Sequence, residues 1–476
     1  MKILFAVWEL DPLIKVGGLG DVARSLPAAL NRLGVDIRVI IPFYQAIKLK
    51  NEKATKIYKF EIKYNGKKES IDVYEVNHPQ NNFPVYLLRH KYFNQADFPD
   101  TFALFDLCIA EIVENNYLSF IPDIIHCNDL HAGLVPLLIK SKNLSPKTVL
   151  TIHNLAYQGK ASPEVLKKMS LNRKKYRISN WEITNGQVNF LLEGIIHSDI
   201  VTTVSPTYAK EIMTEEFGCG LEEIMRGKEA RVFGILNGID NDWKTMMLNT
   251  CIKFPYTREG EQVEKEIGVK PVDWQEGKKQ NKLYLQKKLG LTVDSNLPLI
   301  SFIGRFDPHQ KGIDIIHKMM RRIDLEKYSF IILGTGDPIW EERFQWLDKF
   351  FPENVAVVNK FDDCLAHQIY AASDFILIPS KFEPCGLIQM NAMFYGTLPI
   401  AHRTGGLKDS VKDGYNGYLF DKYGSEDLET TVQKAVENWE KNSKKHIKMV
   451  ENAQKTDFSW EKSAKKYLEL YKKLLD

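Results

Sequence analysis

The sequence has few of the features that mark disulfide-rich or metal-binding proteins. Its six cysteines are scattered along 476 residues, and no two of them form a Cys-x-x-Cys pair. This spacing is typical of a reduced cytosolic protein and argues against a disulfide framework. No group of Cys and His has the spacing of a zinc site, and His126 and His131 flank the end of a predicted strand without sharing a helix face. We therefore expect no metal site.

Long apolar runs and a strong net charge are also absent. No run of about 18 apolar residues occurs, so we expect no membrane-spanning helix and no membrane partner. The first predicted strand begins at residue 2 with no charged and apolar leader before it, which predicts a cytoplasmic protein. The net charge of +3 is small for this length and argues against nucleic acid as a partner.

What the sequence does contain is a regular alternation of apolar strands and helical patterns. Such alternation predicts an α/β fold with parallel sheets and right-handed crossovers. At 476 residues the chain is too long for one core, so two domains are expected. The alternation of strand and helix patterns is lost over residues 241–280, which predicts a linker. A helix is predicted over 281–289. We infer two Rossmann-like domains, with five strands predicted in the second.

A glycine-rich loop follows the first strand. The loop, Lys15-Val-Gly-Gly-Leu-Gly20, leads into a helical pattern that ends at Gly34. Glycines let backbone N–H groups approach a phosphate, and a helix N-terminus carries partial positive charge. Taken alone, the loop is equally consistent with a phosphate site and with a plain turn.

Polar residues follow several predicted strands in the first half of the chain. Asp129, His153 and Asn237 all come directly after a strand, where open α/β sheets bind ligands. For Asp129 and His153 this position favours a functional role. For His126, inside its strand, we favour a structural role with satisfied hydrogen bonds.

The second half repeats this arrangement. Arg305 follows its first strand, Lys311 begins a helix six residues later, and Glu383 lies in the loop after the fourth strand. Together with Lys15, these cations suit a diphosphate in a cleft between the two domains. Asp129 and Glu383 suit a polyhydroxylated group beside it. The combination points to a nucleotide sugar held without Mg²⁺, since no carboxylate cluster suited to that ion occurs.

A series of sequence motifs gives the chain a specific resemblance to a known family. In sequence order and over nearly the whole chain, the protein resembles bacterial glycogen synthases and plant starch synthases, glycosyltransferase family 5. The motifs are Lys15-Val-Gly-Gly-Leu-Gly-Asp-Val22, Asn128-Asp-Leu-His131, Thr151-Ile-His-Asn-Leu-Ala-Tyr-Gln-Gly159, Val201-Thr-Thr-Val-Ser-Pro-Thr-Tyr208, Gly218-Cys-Gly-Leu221, Gly234-Ile-Leu-Asn-Gly-Ile-Asp240, Gln310-Lys-Gly312, Phe382-Glu-Pro-Cys-Gly-Leu387, Thr404-Gly-Gly-Leu-Lys-Asp409 and Phe458-Ser-Trp460.

The resemblance implies the glycosyltransferase-B fold, in which two Rossmann-like domains face each other across a cleft. It assigns residues 1–240 plus 458–476 to an acceptor-side domain that includes a returning last helix, and residues 241–457 to a nucleotide-sugar-binding domain. It implies retaining transfer of glucose from ADP-glucose or UDP-glucose to the non-reducing 4-OH of an α-1,4-glucan, glycogen or starch, with no cofactor. It also allows the stroma of a plastid as a location.

The resemblance also implies roles for individual residues. Lys15, Arg305 and Lys311 would hold the pyrophosphate and stabilise the leaving nucleotide, and Glu383 and His153 complete the implied catalytic set. The residues implied in donor binding are Gly18, Asp21, Asp129, Asn154, Asn237, Cys385, Gly386 and Leu387.

Some features of the sequence depart from the family pattern. The loop from Arg305 to Lys311 is one residue longer than usual, and Ile388 replaces a common threonine. Position 391 is Asn, so the paired glutamates of the broader retaining transferases are not both present, as is usual for family 5. Residues 160–180 and 255–280 match poorly.

Several alternatives stay open at this level. A related transferase that makes sucrose or another glucoside, a non-catalytic glucan-binding paralogue and an NAD dehydrogenase are the other interpretations. The last fits badly, because the loop between Glu9 and Gly17 is too long for a dinucleotide turn. Tyr92, Phe93 and Phe98 are as consistent with a glucan platform as with core packing. The nucleotide base, the acceptor contacts and the oligomeric state are not determined by the sequence.

Overall fold

A computed structural model describes residues 1–47, 49, 53–95, 98–172, 186–240, 243–257, 264 and 272–476. The strands, β1 to β17 in chain order, are Lys2–Ala6, Asp36–Pro42, Thr55–Tyr64, Lys67–Asn77, Pro84–Arg89, Ile124–Asn128, Lys147–Ile152, Lys160–Ala161, Val188–Asn189, Ile200–Thr203, Val232–Gly234, Leu299–Ile303, Ser329–Leu333, Val355–Val358, Phe375–Ile378, Leu398–His402 and Tyr418–Phe420. The helices, α1 to α18, are Gly18–Arg32, Tyr92–Gln95, Asp100–Asn115, Val135–Ser141, Glu164–Lys168, Phe190–His197, Pro206–Glu211, Glu222–Gly227, Trp243–Leu248, Trp274–Leu289, Ile313–Met320, Pro338–Phe350, Asp363–Ala372, Ile388–Phe394, Gly405–Ser410, Ser425–Lys441, Ser443–Lys455 and Trp460–Leu475.

The chain divides into two compact units. The first contains Met1–Gly238 and Trp460–Asp476, and the second contains Ile239–Ser459. These limits lie within two residues of those in the sequence prediction. The described residues contain no helix that is both long enough and apolar enough to cross a membrane.

The first unit is built on a sheet of nine described strands in the order β11-β10-β7-β6-β1-β2-β5-β4-β3. All neighbours from β11 to β5 are parallel. The central strands are buried on both faces, which explains their continuous apolar sequence; Ile3 and Phe5 of β1, for example, are fully buried. Helix α1 buries Leu26 and Leu30 in the same core.

An antiparallel hairpin, β3–β4, extends this sheet at one edge. Asn65-Gly66, a pair typical of hairpin turns, connects the two strands, and both residues have positive φ angles, 51° and 74°. Asn and Gly tolerate this backbone region, which gives the turn the twist that flanking strands require.

Helix α18 packs against α1 within the first unit. It buries Trp460, Tyr467 and Tyr471, and the Tyr471 hydroxyl lies 2.6 Å from Nδ1 of His126. Nε2 of His126 lies 2.6 Å from Oγ1 of Thr151, so both ring nitrogens have partners. Burial lowers the pKa of His126 to about 3, which keeps the ring neutral. The structural role predicted for His126 is confirmed.

The second unit contains a parallel sheet in the order β14-β13-β12-β15-β16-β17. The five strands predicted from sequence are present, and β17, with three residues, is an addition. It escaped prediction because three residues are too few to show a period. Helices α11 and α16 cover this sheet and share its core, in which Ile316 and Leu428 are fully buried.

The linker predicted over 241–280 is wrong for its described part. Residues 243–248 form α9, and Ile252 and Tyr256 are buried in the second core. The Tyr256 hydroxyl lies within hydrogen-bond distance of the carbonyl oxygens of Ala371 (3.0 Å) and Tyr395 (2.6 Å). The segment looked like a linker because its few apolar anchors are separated by polar residues. Residues 241–242, 258–263 and 265–271 of this stretch lie outside the described residues, as do residues 173–180 of the stretch 160–180.

The helix predicted over 281–289 begins earlier, at Trp274. The Asp273 side chain caps it by accepting a hydrogen bond from the Gln275 N–H at 2.9 Å. An aspartate at this position satisfies N–H groups that have no partner inside the helix.

Cys251 and Cys364 form a disulfide within the second unit, with 5.3 Å between their Cα atoms. The expectation that all cysteines are reduced is therefore wrong for this pair. The two residues are 113 positions apart in sequence, so no spacing rule could have paired them.

We expect Cys364→Ser to lower the free energy of unfolding by about 2–4 kcal/mol, because a cross-link that closes a long loop restricts the unfolded chain. Thermal unfolding of the oxidised protein and the variant measures the effect. Dithiothreitol should destabilise the parent protein and leave Cys364→Ser unchanged. Equal melting temperatures for parent and variant under oxidising conditions would contradict the expectation.

Candidate functional site

The first unit collects its predicted site residues at one edge of its sheet. The glycine-rich loop follows β1, Asp129 follows β6, His153 follows β7, and Asn237 lies shortly after β11. These strands are parallel, so their carboxyl ends lie at the same edge. This is the edge at which open α/β sheets bind ligands.

Glu9 fixes the shape of the glycine-rich loop. Its side chain is 2% exposed, and Oε2 accepts hydrogen bonds from the backbone N–H groups of Val16 at 2.5 Å and Gly17 at 2.9 Å. Sequence reasoning did not assign Glu9 a role. The available signal was a carboxylate directly after an apolar strand and before a glycine-rich loop.

Lys15 and Asp21 lie on opposite sides of the same loop and form an ion pair of 2.7 Å. Arg24 is a second cation beside Asp21, at 3.6 Å, and it also pairs with Asp11. Burial raises the pKa of Asp21 above its ordinary value, against the lowering effect of Lys15 and Arg24. In addition to Glu9, two cations and two carboxylates thus lie around the start of α1.

Gly18 is the first residue of α1, and a Cβ at this position would meet no atom within 4 Å. The space in front of Gly18 is therefore open, which agrees with the predicted approach of a ligand to the backbone here. Gly17 precedes the helix in an extended conformation.

Asp129 is held in a rare backbone conformation, with φ 53° and ψ −163°. Its Oδ1 accepts a hydrogen bond of 2.7 Å from the backbone N–H of His153. Burial raises the pKa of Asp129 to about 7, against the lowering effect of N–H groups from His153 and Asn154, while the charge of Glu9 adds to the increase. A non-glycine residue in such a conformation is typical of a functional site.

The hydrogen bonds of Asn128 determine the tautomer of His153. The amide nitrogen of Asn128 donates to the Ala6 carbonyl at 3.0 Å, so its Oδ1 accepts from Nε2 of His153, also at 3.0 Å. Burial lowers the pKa of His153 to about 3. The ring is therefore neutral, with its proton on Nε2 and a lone pair on Nδ1.

The two asparagines of the predicted set differ. Asn154 caps its own turn, because its Oδ1 accepts from the Ala156 N–H at 3.0 Å. Asn237 is 5% exposed, and its Oδ1 has no hydrogen-bond partner within the described part of the chain. A buried unpaired amide oxygen is costly, which favours a ligand-binding role for Asn237.

An aromatic cluster that sequence reasoning missed lies beside these residues. Trp8 stacks on His131 with ring centroids 4.6 Å apart, and Phe102 contacts both rings edge to face. Phe98 packs against Phe102 and Phe190. Phe93 is buried in the core at 3% exposure, which excludes it as a surface platform.

In the second unit, Lys311 and Glu383 are brought into direct contact. Lys311 Nζ lies 2.7 Å from Glu383 Oε2, and the Ser380 hydroxyl donates to the same oxygen at 3.0 Å. The two side chains are only 17% and 10% exposed. The pair is therefore largely shielded from solvent, where an electrostatic interaction is stronger than at an open surface.

The backbone of Lys311 is held by the loop that precedes it. The backbone N–H of Lys311 donates to Asp307 O at 2.8 Å. Gly312 follows with a φ of 68°, and a Cβ there would lie 2.1 Å from Pro379 O. Only glycine fits between these loops, and this close approach carries Lys311 towards the loop of Glu383.

Arg305 is exposed, and its Nη2 donates to Gln310 Oε1 at 3.2 Å. The backbone N–H of Lys381 in turn donates to Gln310 O at 2.8 Å. Gln310 therefore links the loop of Arg305 to the loop that carries Glu383.

The segment from Cys385 to Leu387 leads into α14. Gly386 has a φ of 71°, and the Gln389 amide donates to the carbonyl oxygens of Cys385 (3.0 Å) and Gly386 (2.8 Å). Gly406 approaches so closely that a Cβ on it would lie 2.1 Å from Cys385 O. The segment is thus rigid, but the roles predicted for Cys385, Gly386 and Leu387 stay predictions.

The described residues contain no group of three or more His, Cys, Asp and Glu side chains that could hold a metal ion. The cationic side chains at the predicted positions are Lys15 in the first unit and Arg305 and Lys311 in the second. That they act together on one donor molecule stays a prediction.

Comparisons with known proteins agree with this description of the two units. Residues 2–227 match the family described as starch synthase catalytic domain, and residues 287–456 match glycosyl transferases group 1. Curated glycogen synthases of Kosmotoga olearia and Pseudothermotoga lettingae are 39% and 40% identical to the chain. The matches cover all of this chain and 98% and 99% of those proteins.

Solved structures give the fold. The catalytic domain of starch synthase IV from Arabidopsis thaliana, bound to ADP and acarbose, matches with a TM-score of 0.86 and 32% identity. The match covers 100% of this chain and 99% of the starch synthase chain. Sucrose-phosphate synthase from Thermosynechococcus elongatus has a TM-score of 0.61 and 17% identity over 99% and 98% of the two chains, which supports the fold alone. The predicted glycosyltransferase-B fold is confirmed, and the dehydrogenase interpretation is excluded. The chain belongs to the glycogen and starch synthase family of glycosyltransferases.

Proposed function

We propose that the protein transfers glucose from ADP-glucose to the non-reducing 4-hydroxyl of an α-1,4-glucan, with retention at the anomeric carbon. The observation that carries the proposal is the similarity, over the whole chain, to a starch synthase that binds ADP and acarbose. Identity of 39–40% to glycogen synthases over the whole chain supports the same activity. ADP-glucose is therefore favoured over UDP-glucose as the donor.

The charges at the site suit the chemistry of this reaction. In a retaining transfer, bond cleavage leaves negative charge on the diphosphate and positive charge on the sugar ring. Lys15, Arg305 and Lys311 supply the cations for the diphosphate, so the proposed mechanism needs no metal or other cofactor. Lys15 and Lys311 are each paired with a carboxylate at 2.7 Å, which holds their ammonium groups in place before the donor binds.

The carboxylate groups are proposed to act on the sugar. Glu383, held by Lys311 and Ser380, is positioned to orient the donor glucose and to offset the positive charge of the ring. Asp129, His153, Asn154 and Asn237 are proposed to bind sugar hydroxyls, for which neutral His153 offers an acceptor lone pair on Nδ1. We assign His153 no general-base role, because a group with a pKa of about 3 is a poor base near neutral pH.

Incubation with ADP-glucose and glycogen tests the proposal directly. We expect chain extension and release of ADP, with slower extension from UDP-glucose. Parallel reactions with fructose and glucose as acceptors test for sucrose or another glucoside as the product. No extension by folded protein would contradict the proposal, and glycogen binding without extension would identify a non-catalytic paralogue. The cytoplasmic location stays a prediction.

The role of Glu9 as the residue that shapes the loop gives a further expectation. Glu9→Ala leaves the N–H groups of Val16 and Gly17 without their acceptor, at a cost of about 1–3 kcal/mol. We expect ADP to bind about tenfold more weakly, as measured by calorimetry. Glu9→Gln keeps an acceptor oxygen and should stay within about threefold of the parent protein. Equal affinities for Glu9→Ala and the parent protein would contradict this role.

A further inference from the structure

His402 is the last residue of β16, which lies between β15 and β17 in the sheet of the second unit. The carboxyl ends of these strands lie at the edge where open α/β sheets bind ligands, and the loop after β15 carries Glu383. The imidazole ring of His402 packs against the rings of Phe420 and Tyr423, with centroids 5.3 Å and 5.6 Å away. These contacts fix the orientation of the ring at the ligand edge.

Both ring nitrogens of His402 lie close to backbone carbonyl oxygens. Nδ1 is 2.9 Å from the carbonyl oxygen of Ser380, in the loop after β15, and Nε2 is 3.3 Å from that of Asp421, directly after β17. A carbonyl oxygen only accepts hydrogen bonds, so each nitrogen must carry a proton to bond to it. A neutral imidazole has one N–H group, and the imidazolium ion has two. The geometry therefore matches the cationic form of His402, which bridges three neighbouring strand ends.

The contact between His402 and Ser380 leads directly to Glu383. The Ser380 hydroxyl donates to Oε2 of Glu383 at 3.0 Å, the same oxygen that lies 2.7 Å from Lys311 Nζ. The segment that follows His402 holds Glu383 a second time, because the backbone N–H of Gly406 donates to the Glu383 carbonyl oxygen at 2.9 Å. The end of β16 and the residues after it therefore hold the Glu383 loop at two points.

The charged groups around His402 are engaged with other partners. Arg403, the next residue, pairs with the Asp421 carboxylate at 2.5 Å, and the Tyr423 hydroxyl donates to Oδ1 of Asp314 at 3.2 Å. Burial raises the pKa of Tyr423, so this hydroxyl stays neutral near neutral pH. The other titratable groups on the neighbouring segments are Lys381, Glu383 and Lys422. The two carbonyl oxygens are thus the direct acceptors for the N–H groups of a positively charged ring.

We propose that His402 is a positioning residue for the transfer reaction, which holds the loop of Glu383 through Ser380 and holds it most firmly in its cationic form. The inference rests on the proposed function, in which Glu383 acts on the donor sugar. Loss of a proton removes one of the two hydrogen bonds, and the neutral ring is expected to keep the shorter one, to Ser380. Since histidine changes its charge between about pH 5 and 8, transfer should become slower as the pH rises through this range.

Two substitutions of His402 each keep one of its two donors. The side-chain amide of His402→Asn can replace Nδ1 and donate to Ser380, while that of His402→Gln can replace Nε2 and donate to Asp421. At pH 6 we expect His402→Asn to lower kcat about threefold and His402→Gln about tenfold, because a lost hydrogen bond to a charged group loosens the loop. The KM for ADP-glucose should change little. Equal kcat values for the parent protein and both variants would overturn the role.

The dependence on pH separates this role from a contribution to folding alone. We expect the ratio of the parent kcat to that of His402→Asn to fall from about three at pH 6 to about one at pH 8.5, because a neutral His402 and the asparagine make the same bond. The ratio cancels the titration of other groups, such as Asp129. A ratio with the same value at both pH values would overturn the proposal.

His367→Asn is a matched control in the same unit. Nδ1 of His367 lies 3.0 Å from the hydroxyl oxygen of Tyr395, which precedes β16 and so lies at the opposite edge of the sheet from Glu383. This variant should keep the parent kcat at both pH values. A loss of kcat equal to that of His402→Gln would show a general effect of histidine replacement and would overturn the specific role.

Hydrogen–deuterium exchange gives a readout that does not require activity. The backbone amides of residues 379–386 should exchange faster in His402→Gln than in the parent protein, and at the parent rate in His367→Asn. Faster exchange in His402→Gln, when the parent protein transfers no glucose, would support the positioning of the loop and contradict the proposed function. Transfer by a parent protein whose loop exchange and kcat are unchanged in His402→Gln would overturn the role of His402 alone.

Discussion

Glu383→Gln is expected to lower kcat by about two to three orders of magnitude, with little change in KM for ADP-glucose. Loss of one preorganised charge that acts mainly in the transition state typically costs about 2.7–4 kcal/mol. The Glu383 side chain is only 10% exposed and lies 2.7 Å from Lys311, so solvent screens its charge weakly. Initial rates over a range of ADP-glucose concentrations, with glycogen in excess, measure both constants.

The Gln variant is preferable to Ala as a test because it preserves the local hydrogen bonds. Its amide oxygen can still accept from Ser380 and Lys311, so the loop should keep its structure. Glu429→Gln is a matched control, since Glu429 pairs with Arg322 at 2.8 Å on the surface of the same unit. The control should retain the parent kcat. A kcat for Glu383→Gln within threefold of the parent value would exclude a role for this charge in the transition state.

Lys15→Ala is expected to lower kcat by about one to two orders of magnitude and to weaken binding of ADP. In the proposed function, Lys15 contacts the diphosphate of the bound donor and also stabilises it as the leaving group, so loss of this cation should affect both the ground state and the transition state. The substitution does not leave Asp21 without a cationic partner, because Arg24 remains 3.6 Å away. Steady-state kinetics with ADP-glucose and calorimetry with ADP measure the two effects.

Two further variants make the Lys15 test specific. Lys15→Arg keeps the positive charge and should recover part of the ADP affinity. Lys168→Ala removes a lysine that forms an ion pair of the same length, 2.7 Å, with Asp100 and is similarly exposed. It should leave the kinetics unchanged. If Lys15→Ala had the kinetics of the parent protein, Lys15 would have no role in the reaction.

The positions of most elements could be predicted because they depend on local sequence. The core strands are apolar runs of the length that a buried parallel strand requires, and Asn65-Gly66 specifies its turn through residues that accept positive φ angles. The family followed from motifs that are contiguous in sequence. Prediction from local patterns failed where few residues carry the signal. These places are the three-residue strand β17 and residues 243–257, where the apolar residues Ile252 and Tyr256 are isolated in polar sequence.

The positions of Asp129, His153 and Glu383 after strand ends could be predicted from the sequence, yet their contacts could not be. Lys311 and Glu383 are 72 residues apart, and the cysteines of the disulfide are 113 apart. Such pairs form only when the folded chain brings segments that are distant in sequence together. Contacts between residues close in sequence can be equally hard to predict. Those of Glu9 with Val16 and Gly17 depend on how the intervening loop folds back.

The sequence by itself determined the fold class, the family and the side chains available for chemistry, since motif spacing and hydrophobic period are properties of the chain alone. Only the tertiary structure decided which charges are paired and which are shielded. It pairs Lys15 with Asp21 and Lys311 with Glu383, keeps His153 neutral, and raises the pKa of Asp129 to about 7. Burial and the proximity of distant residues set these properties, and neither is present before the chain has folded.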